Sequence, residues 1–303
     1  MLKRVLKRVL KRGMSFTLIA SLALGFAACG TKESQNKEKI TSNAQTEFED
    51  DEIFRDLESG VVFYLPKEYQ DKGVSASGID KNCFSFEGDY YSYRDPDKNL
   101  ESKAGIDVSS YQGAVDWKQV KETGIEFAMI RLGYRGYGNG KIVLDENFTP
   151  HMKGTKEAGL ERGVYFYSQA INEKEAREEA EFVLAHLNNA ELSYPIAYDF
   201  ELPNVPDART ACMEWEQIVR NAYAFCEVIL DAGYQPMVYA GGYTYFFYAE
   251  HKLMKDIPIW YAQYQTQSPK ADNFFMWQYS ESANVPGVES EIVDLNVAIT
   301  QKE

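Results

Sequence analysis

The sequence predicts an α/β protein whose main domain is a closed, irregular (β/α) barrel of eight strands, TIM-like in architecture. Short runs rich in β-forming residues recur between residues 104 and 299. Stretches with a helical pattern lie between the earlier runs. Such alternation favours a parallel sheet, and eight strands in succession favour closure of that sheet into a barrel. The runs are AGIDVSS, EFAMIRLGY, RGVYFYSQA, PIAYDFE, PMVYAGG, PIWYAQY, FFMWQYS and EIVDLNVAI.

The connections between these strands are of two kinds. The first four contain helical patterns, such as DWKQVKETG and NEKEAREEAEFVLAHLNNA. The connections after the fifth strand are too short for full helices. We therefore expect shortened helices in the later half of the barrel, and we assign the barrel domain to residues 103–303.

The first 28 residues have the order of an export signal. Basic residues precede an apolar run that starts at Met14, and small residues lead up to Cys29. The apolar run is short for a permanent transmembrane helix. This stretch resembles a bacterial lipobox, which implies cleavage before Cys29, a lipid on that cysteine, and a location on the outer face of a membrane. Ordinary secretion and an uncleaved anchor are the alternatives.

Two further segments lie between the signal and the barrel. Residues 29–52 are polar and poor in hydrophobic residues, which is typical of a flexible tether. Residues 53–102 include GVVFYLP, a possible strand, and the aromatic stretch CFSFEGDYYSYRD. We expect residues 53–102 to form a small extension that packs against the barrel.

Charge and composition limit the classes of molecule that the protein is expected to bind. Removal of residues 1–28, which carry six basic and no acidic side chains, changes the formal net charge from −14 to −20. Nucleic-acid binding needs clustered Lys and Arg, so we expect a neutral polymer as partner and no nucleic acid. Three scattered histidines and four cysteines without zinc spacing predict no metal site. We expect no cofactor and a monomeric protein.

The stretch YPIAYDFELP places two acids at the end of an apolar run. Side chains alternate between the two faces of a strand, so Ala197, Asp199 and Glu201 share one face while Tyr198 and Phe200 share the other. The two carboxylates therefore project together. The alternative is a strand that ends in an acidic, solvated turn.

The same alternation brings further polar side chains to the barrel interior. Asp107 in GIDVS and Asp294 in IVDLN lie opposite apolar residues, so both are predicted to point inward near the C-terminal ends of their strands, where barrel active sites lie. Crowded carboxylates raise one another's pKa, which suits a general acid. Arg131 and Gln278 face the lumen by the same parity, and we expect Arg131 to pair with Asp107 or Asp294. The predicted substrate-binding group is Arg131, Tyr167, Tyr239, Tyr261 and Gln278.

The ordered set of motifs resembles glycoside hydrolase family 25, the lysozymes that cleave peptidoglycan. The motifs are GIDVSSYQGAVDWKQVKETGIEFAMIRLGY, PIAYDFE, WQYS and VDLNV. The resemblance implies hydrolysis of the β-1,4 bond between N-acetylmuramic acid and N-acetylglucosamine in peptidoglycan. It also implies Glu201 as proton donor, Asp199 as its catalytic companion, and Asp107 and Asp294 as further active-site acids. Phe200 stands where many members have Trp.

The chemistry of the acids leaves several mechanisms open. Glycoside hydrolysis needs one acid to protonate the leaving oxygen and a second carboxylate to meet the positive charge that develops on the sugar. Two acids on one strand lie close together, which leaves no wide gap for a water molecule. Attack by the substrate's own N-acetyl carbonyl, with Asp199 stabilising the cationic ring, is equally compatible with the sequence.

Two other functions compete with a lysozyme. A family 18 chitinase would need Asp where this chain has Tyr194 and Ala197. A non-catalytic cell-wall-binding lipoprotein would retain the barrel without the activity, with residues 53–102 covering the cleft. The set of four acids favours the enzyme over both.

Overall fold

The computed structural model describes residues 52–55, 62–65 and 79–302. Two antiparallel strand pairs precede the barrel: β1 (Glu52–Arg55) with β2 (Val62–Leu65), and β3 (Phe84–Glu87) with β4 (Tyr90–Asp95). β2 lies within GVVFYLP, so the strand expected there is confirmed. The predicted export signal, Cys29 and nearly all of the predicted tether lie outside the described residues.

Eight strands of one sheet close into a barrel, as the sequence predicted. The order around the barrel follows the chain, and pairing of the first strand with the second completes the ring. A short strand, β7 (Ile142–Leu144), pairs with the edge of the second barrel strand. The barrel strands are β5 (Leu100–Val108), β6 (Phe127–Arg135), β8 (Glu161–Ser168), β9 (Ile196–Phe200), β10 (Pro236–Gly241), β11 (Ile259–Ala262), β12 (Met276–Ala283) and β13 (Val293–Gln301).

The last strand departs from the expected parallel sheet. The first seven barrel strands, from β5 to β12, pair in parallel, whereas β13 is antiparallel to both β12 and β5. The reason is the connection before it, residues 284–292, which is too short for a crossover. Parallel strands need a crossover of about a dozen residues or more, while antiparallel neighbours can be joined by a short loop. The prediction of an all-parallel barrel is therefore wrong at its final strand.

The helices follow the predicted distribution. The helix after β5 has six residues, those after β6, β8 and β9 have 11, 15 and 17, and the one after β10 has eight, whereas residues 263–275 between β11 and β12 contain none. Within the described part of the chain, no helix is both long and apolar enough to cross a membrane. The helices are α1 (Trp117–Glu122), α2 (Phe148–Ala158), α3 (Glu173–Leu187), α4 (Trp215–Asp231) and α5 (Tyr243–Glu250).

Two apolar layers pack on opposite faces of the barrel wall. The lumen layer includes Phe127, Met129, Trp260 and Met276, and a larger outer layer lies between the strands and the helices. α4 contributes to the outer layer through buried residues at helical spacing, because its amphipathic stripe faces the sheet. Gly105 faces the lumen with the Phe127 ring against its Cα, in the space that a Cβ would occupy. The floor of the lumen is thus filled, which leaves only its upper end for a ligand.

The β3–β4 hairpin covers the outer face of β12, where no helix is present. Phe84 meets Trp277 with ring centroids 5.4 Å apart, and Tyr91 meets Tyr279 at 5.0 Å. Tyr93 is only 1% exposed and contacts Phe84 at 4.9 Å. The hairpin therefore supplies the apolar cover that helices supply elsewhere in the barrel.

The predicted boundary between extension and barrel falls inside a strand. β5 runs from Leu100 to Val108, so it passes through residues 102 and 103 without a break. β4 pairs with the first residues of β5, and this pairing joins the hairpin to the barrel sheet. The extension and the barrel share one sheet, which the patterning of residues 53–102 did not indicate.

A buried polar network ties α3 to the outer side of the sheet. Arg135 Nε donates to Glu179 Oε1 at 2.6 Å, and Ser168 Oγ donates to Glu179 Oε2 at 2.6 Å. Burial nevertheless raises the pKa of Glu179 to about 7, because removal from water outweighs these hydrogen bonds. Both partners of Glu179 satisfy its oxygens, so we assign this acid a structural role.

Candidate active site

The D-x-E pair lies at the C-terminal end of β9. Asp199 shares the lumen face with Ala197, and the intervening residues of the strand pack in the outer layer. Glu201 directly follows the last residue of β9. Strand register places Asp199 beside Tyr167 of β8 and Tyr239 of β10. The pair therefore opens into the mouth of the barrel, between two aromatic residues.

Two further acids meet across the closing strands. Asp107 near the end of β5 and Asp294 near the start of β13 are directly paired in the ladder. Asp294 lies at the N-terminal end of its strand, not at the C-terminal end as the sequence analysis had it. Since β13 is antiparallel, its start lies at the mouth. Strand reversal thus brings Asp294 to the same end of the barrel as the other acids.

Asp107 is held by two amide side chains. Gln278 Nε2 and Asn296 Nδ2 each donate to Asp107 Oδ2 at 2.8 Å. Behind them, Gln278 Oε1 accepts hydrogen bonds from the hydroxyls of Tyr239 at 2.9 Å and Tyr264 at 2.7 Å. The predicted lumen position of Gln278 is thus observed, and its amide joins two tyrosines to a carboxylate.

Asn296 is a site residue that the sequence analysis did not single out. Its Oδ1 accepts from Trp260 Nε1 at 2.7 Å, while its Nδ2 donates to Asp107. Both Asn296 and Trp260 are buried. The signal was present, because Asn296 shares a strand face with Asp294 and a buried amide needs partners.

The environment favours protonation of all three acids that line the mouth from β5 and β9. Burial raises the pKa of Asp107 to about 6, against the opposing effect of its two amide hydrogen bonds. Burial, followed by the charges of Glu201 and Asp107, raises the pKa of Asp199 well above its usual range, although Arg131 opposes this. The crowding expected from the sequence is therefore reproduced by the geometry.

Asp199 and Glu201 differ in their access to solvent. Asp199 is 6% exposed, and its Oδ1 is buried with no hydrogen-bond partner among the described residues. Glu201 keeps an exposed side chain at the rim, although protein atoms around the cleft displace much of its water. This desolvation, followed by the charges of Asp107 and Glu281, raises the pKa of Glu201 to about 7. Glu201 can thus carry a proton near neutral pH and exchange it with a ligand at the mouth.

The backbone at Glu201 is fixed by the end of β8. Gln169 Nε2 donates to the carbonyl oxygen of Glu201 at 2.8 Å, and Thr210 Oγ1 donates to Gln169 Oε1 at 2.6 Å. Gln169 and Thr210 are both fully buried. A residue that follows a strand would otherwise be free to move, so this pair of hydrogen bonds positions the general-acid candidate.

Arg131 faces the mouth, but the ion pair observed for it is with Asp145. Arg131 Nε donates to Asp145 Oδ2 at 2.8 Å, and Nη2 donates to Ser110 Oγ at 3.1 Å. The rings of Tyr111 and Tyr134 lie 5.0 and 5.4 Å from its guanidinium carbon. The expected partner was Asp107 or Asp294, but the ion pair found is with Asp145, and Asp107 is bound by two amides instead.

The predicted tyrosines have different locations. Tyr167 is half-buried beside Asp199, and burial, followed by the charges of Glu201 and Asp199, raises the pKa of its phenol. Tyr261 faces the outer layer, where its ring meets Tyr245 at 4.9 Å. The assignment of Tyr261 to substrate binding is therefore wrong: on β11 it is Trp260, one residue earlier, that faces the lumen.

The family model for glycosyl hydrolases family 25 matches residues 106–288, which is more than half of the chain. The chain belongs to this family. The match includes Asp107, Asp199 and Glu201 and ends before β13, so Asp294 and Asn296 lie outside it. The β3–β4 hairpin also lies outside the matched residues. The two acids of β9 and the acid of β5 thus belong to the shared part of the family 25 domain.

Similar proteins extend this family assignment. An autolytic lysozyme of Clostridium acetobutylicum is 31% identical over 186 residues, which is 61% of this chain and 52% of that protein. The structure of the autolysin LytC from Streptococcus pneumoniae with a synthetic peptidoglycan ligand has a TM-score of 0.58 at 25% identity, covering 71% of this chain and 51% of that one. This family 25 chain therefore spans about half the length of each.

A third structure supports the fold alone. The bacterial lysozyme from Streptomyces coelicolor is 21% identical, with a TM-score of 0.52, and the alignment covers 64% of this chain and 90% of that one. Among the described residues, no group of three or more His, Cys, Asp and Glu side chains is placed to hold a metal ion. What the family 25 mouth offers is a ring of carboxylates, amides and phenols, suited to proton transfer and to stabilising a cation.

Proposed function

We propose that this protein hydrolyses peptidoglycan at the β-1,4 bond between N-acetylmuramic acid and N-acetylglucosamine. The observation that carries the proposal is the arrangement of Asp107, Asp199 and Glu201 at the mouth of a family 25 barrel, each with a raised pKa. The similarity to an autolytic lysozyme and to an autolysin bound to a peptidoglycan ligand supports the same substrate.

In this proposal Glu201 is the general acid. Its pKa of about 7 keeps a large fraction protonated at neutral pH, and its exposed side chain can reach the leaving oxygen of a bound glycan. General acids work best when their pKa lies near the working pH. The hydrogen bond from Gln169 to the Glu201 carbonyl holds the acid in place during proton transfer.

Asp199 stabilises the positive charge that develops on the sugar. In the free protein, burial and then the charges of Glu201 and Asp107 raise the pKa of Asp199 well above the usual range. Asp199 and Glu201 titrate as a pair. When the pair holds one proton, that proton can lie on Glu201, the general acid, while Asp199 is anionic. A cationic sugar ring against Asp199 favours the state in which Glu201 holds that proton.

The spacing of the pair favours a mechanism without a wide gap for water. Asp199 and Glu201 are two residues apart and project to the same side, so their carboxyl groups lie close together. Retaining enzymes bring the carboxyl groups to about 5–5.5 Å, whereas inverting enzymes need about 6.5–9.5 Å. Both a glycosyl-enzyme and attack by the N-acetyl carbonyl fit such a close pair.

Product analysis tests the proposal directly. Purified peptidoglycan is digested with the protein, and the new ends are reduced and identified. Reduced muramic acid ends support a muramidase, while reduced glucosamine ends identify a glucosaminidase and contradict the proposed bond. An absence of new reducing ends contradicts the enzyme and favours the wall-binding alternative, for which pelleting with intact walls without lysis is the expected behaviour.

The wall-binding alternative has less support than hydrolysis. In that alternative, residues 53–102 could cover the cleft. Phe84 and Tyr91 of the β3–β4 hairpin instead pack on the outward-facing rings of β12. We further propose that the protein is exported and anchored through a lipid on Cys29, which would hold the barrel at the cell wall.

A further inference from the structure

A groove of about 450 Å³ lies beside the catalytic mouth, formed in part by the β3–β4 hairpin. We call it the hairpin groove. Its volume is within the range of about 300–1,000 Å³ that is usual for small-molecule sites. The hairpin precedes the residues matched by the family model. The groove is lined by several aromatic and acidic residues, among them Phe86, Asp89, Tyr91, Tyr264, Tyr279 and Glu281.

The hairpin groove adjoins the catalytic residues. Tyr264 lines the groove, and its hydroxyl donates to Gln278 Oε1, whose amide in turn donates to Asp107. Glu281 also lines the groove, and its negative charge contributes to the raised pKa of Glu201. The two residues connect the groove to both sides of the acid cluster.

The floor of the groove is a fixed set of aromatic rings. Phe86 is 59% exposed, and its ring meets Tyr91 with centroids 5.0 Å apart. Tyr91 meets Tyr279 at 5.0 Å, and its hydroxyl donates to the carbonyl oxygen of Thr266 at 3.1 Å. A large exposed aromatic ring that is held in place by its neighbours is a ready surface for stacking.

The rim of the groove is polar. Asp89 and Glu281 lie at its edge with amide and hydroxyl side chains of the 264–267 loop and of β12. A sugar ring has an apolar face of C–H groups and an edge of hydroxyls, which matches an aromatic floor with hydrogen-bonding walls. The two acids disfavour an anionic ligand, because like charges repel in a partly desolvated site.

We propose that the hairpin groove is an additional glycan subsite that binds a neutral sugar of the strand whose bond is cleaved at the mouth. The proposal rests on the proposed function, since it makes the groove an extension of the same cleft. Phe86 is the stacking residue, and Tyr91 fixes its ring. Long glycan strands would then occupy both the mouth and the groove, whereas short ones would occupy the mouth alone.

The test compares glycan length in the full chain. Rates are measured for the unmodified protein, Phe86→Ala and Phe86→Trp on three substrates: peptide-free tetrasaccharides, long peptide-free glycan strands, and long strands that keep their stem peptides. We expect Phe86→Ala to raise KM on long strands by about 2- to 10-fold, the loss of one stacking contact, with kcat unchanged. Tetrasaccharide cleavage should be unaffected, and Phe86→Trp should retain the preference for long strands.

Ser85→Ala is the matched control, because Ser85 lies on the opposite face of β3, where its hydroxyl meets that of Ser92 at 2.9 Å. Melting temperatures of all variants show whether the hairpin is intact. Equal losses on both substrate lengths, or none on long strands, would overturn the subsite. A loss confined to peptide-bearing strands would assign the groove to the stem peptide and overturn it as well.

Failure of the proposed function would be recognised separately. If the unmodified protein cleaves no glycan, the hydrolase proposal fails. The subsite proposal is then tested by calorimetry, which measures binding of the long peptide-free strands to the unmodified protein and to Phe86→Ala. Weaker binding by Phe86→Ala than by the unmodified protein supports a glycan site. Equal binding, or no binding by either, overturns it.

Discussion

Among single residues, Glu201 and Asp199 share one strand face, but the proposed function gives them different tasks, which substitution can separate. Glu201→Gln keeps the shape of the side chain and removes its proton, so kcat on wall polymer should fall by about 10²–10⁴-fold with binding retained. Asp199→Asn should also lower kcat. With an activated substrate whose leaving group needs no proton, Glu201→Gln should recover far better than Asp199→Asn.

The control for this comparison is Glu157→Gln on the exposed side of α2, where Glu157 pairs with Lys153. It should leave kcat unchanged. Near-normal clearing of walls by both β9 variants would show that the D-x-E pair is a solvated turn and that catalysis uses other acids.

The raised pKa values also predict how stability depends on pH. Asp107 and Glu201 ordinarily release their protons near pH 3.8 and 4.5, but in the folded protein near 6 and 7. Between these limits the folded state binds more protons than the unfolded state, so the free energy of unfolding falls as pH rises. The melting temperature should be lower at pH 7.5 than at pH 5, and Glu201→Gln should reduce that difference. An unchanged slope in this variant would show that Glu201 has an ordinary pKa.

Asn296 should act as a positioning residue. Asn296→Ala removes the hydrogen bonds to Asp107 and to Trp260, and leaves both partners buried, so the free energy of unfolding should fall by about 1–3 kcal/mol. Loss of its amide should also raise the pKa of Asp107 further and shift the acidic limb of the pH–rate profile upward. The exposed Asn284→Ala is the matched control. A stability loss without a shifted profile would mean that Asn296 is purely structural.

At the level of elements, the β3–β4 hairpin replaces helices that the later strands lack. Tyr93→Ala should therefore destabilise the whole barrel, by about 3–5 kcal/mol, as for other buried aromatic residues. For the same reason a chain of residues 79–303 should unfold at a clearly higher temperature than one of residues 103–303, which also cuts β5. Equal melting temperatures for these two chains would show that the hairpin is an independent appendage.

The sequence was sufficient for the strands and their faces because alternation is a local property. The alternation of inward and outward side chains can be recognised within each barrel strand alone. It correctly predicts that Asp107, Asp199 and Glu201 lie at the mouth. The direction of β13 was missed, although the short connection before it already indicated an antiparallel neighbour. Tyr261 was misassigned because a position near a strand end was considered without its parity.

Other features depend on contacts between distant parts of the chain, which a single sequence does not reveal. The Arg131–Asp145 ion pair joins a lumen residue to a loop acid that belongs to no periodic pattern. The contact between Phe84 and Trp277 joins residues far apart in the sequence. The aromatic stretch CFSFEGDYYSYRD could not be assigned from the sequence for this reason: Phe84 and Tyr91 are explained by the surface of β12 that they cover.

For the whole molecule, the remaining prediction concerns attachment. The basic, apolar and small residues before Cys29, followed by a polar tether, predict a lipid on that cysteine. Cells supplied with a fatty-acid analogue should label the unmodified protein, and Cys29→Ala should move the protein out of the labelled fraction. If the unmodified protein takes up no label, plain secretion or an uncleaved anchor replaces lipidation.

The reversed last strand also determines where the barrel can be joined to something else. Gln301 at the end of β13 is paired with Leu100 at the start of β5, and Lys302 N donates to the carbonyl oxygen of Asn99 at 2.9 Å. If β13 ran parallel to its neighbours, it would end at the mouth, among the carboxylates. Because it is antiparallel, it ends at the opposite end of the barrel, next to the start of β5. A fluorescent protein fused after residue 303 would therefore be attached at the end of the barrel opposite the mouth. It should not block access of a glycan strand to the acids.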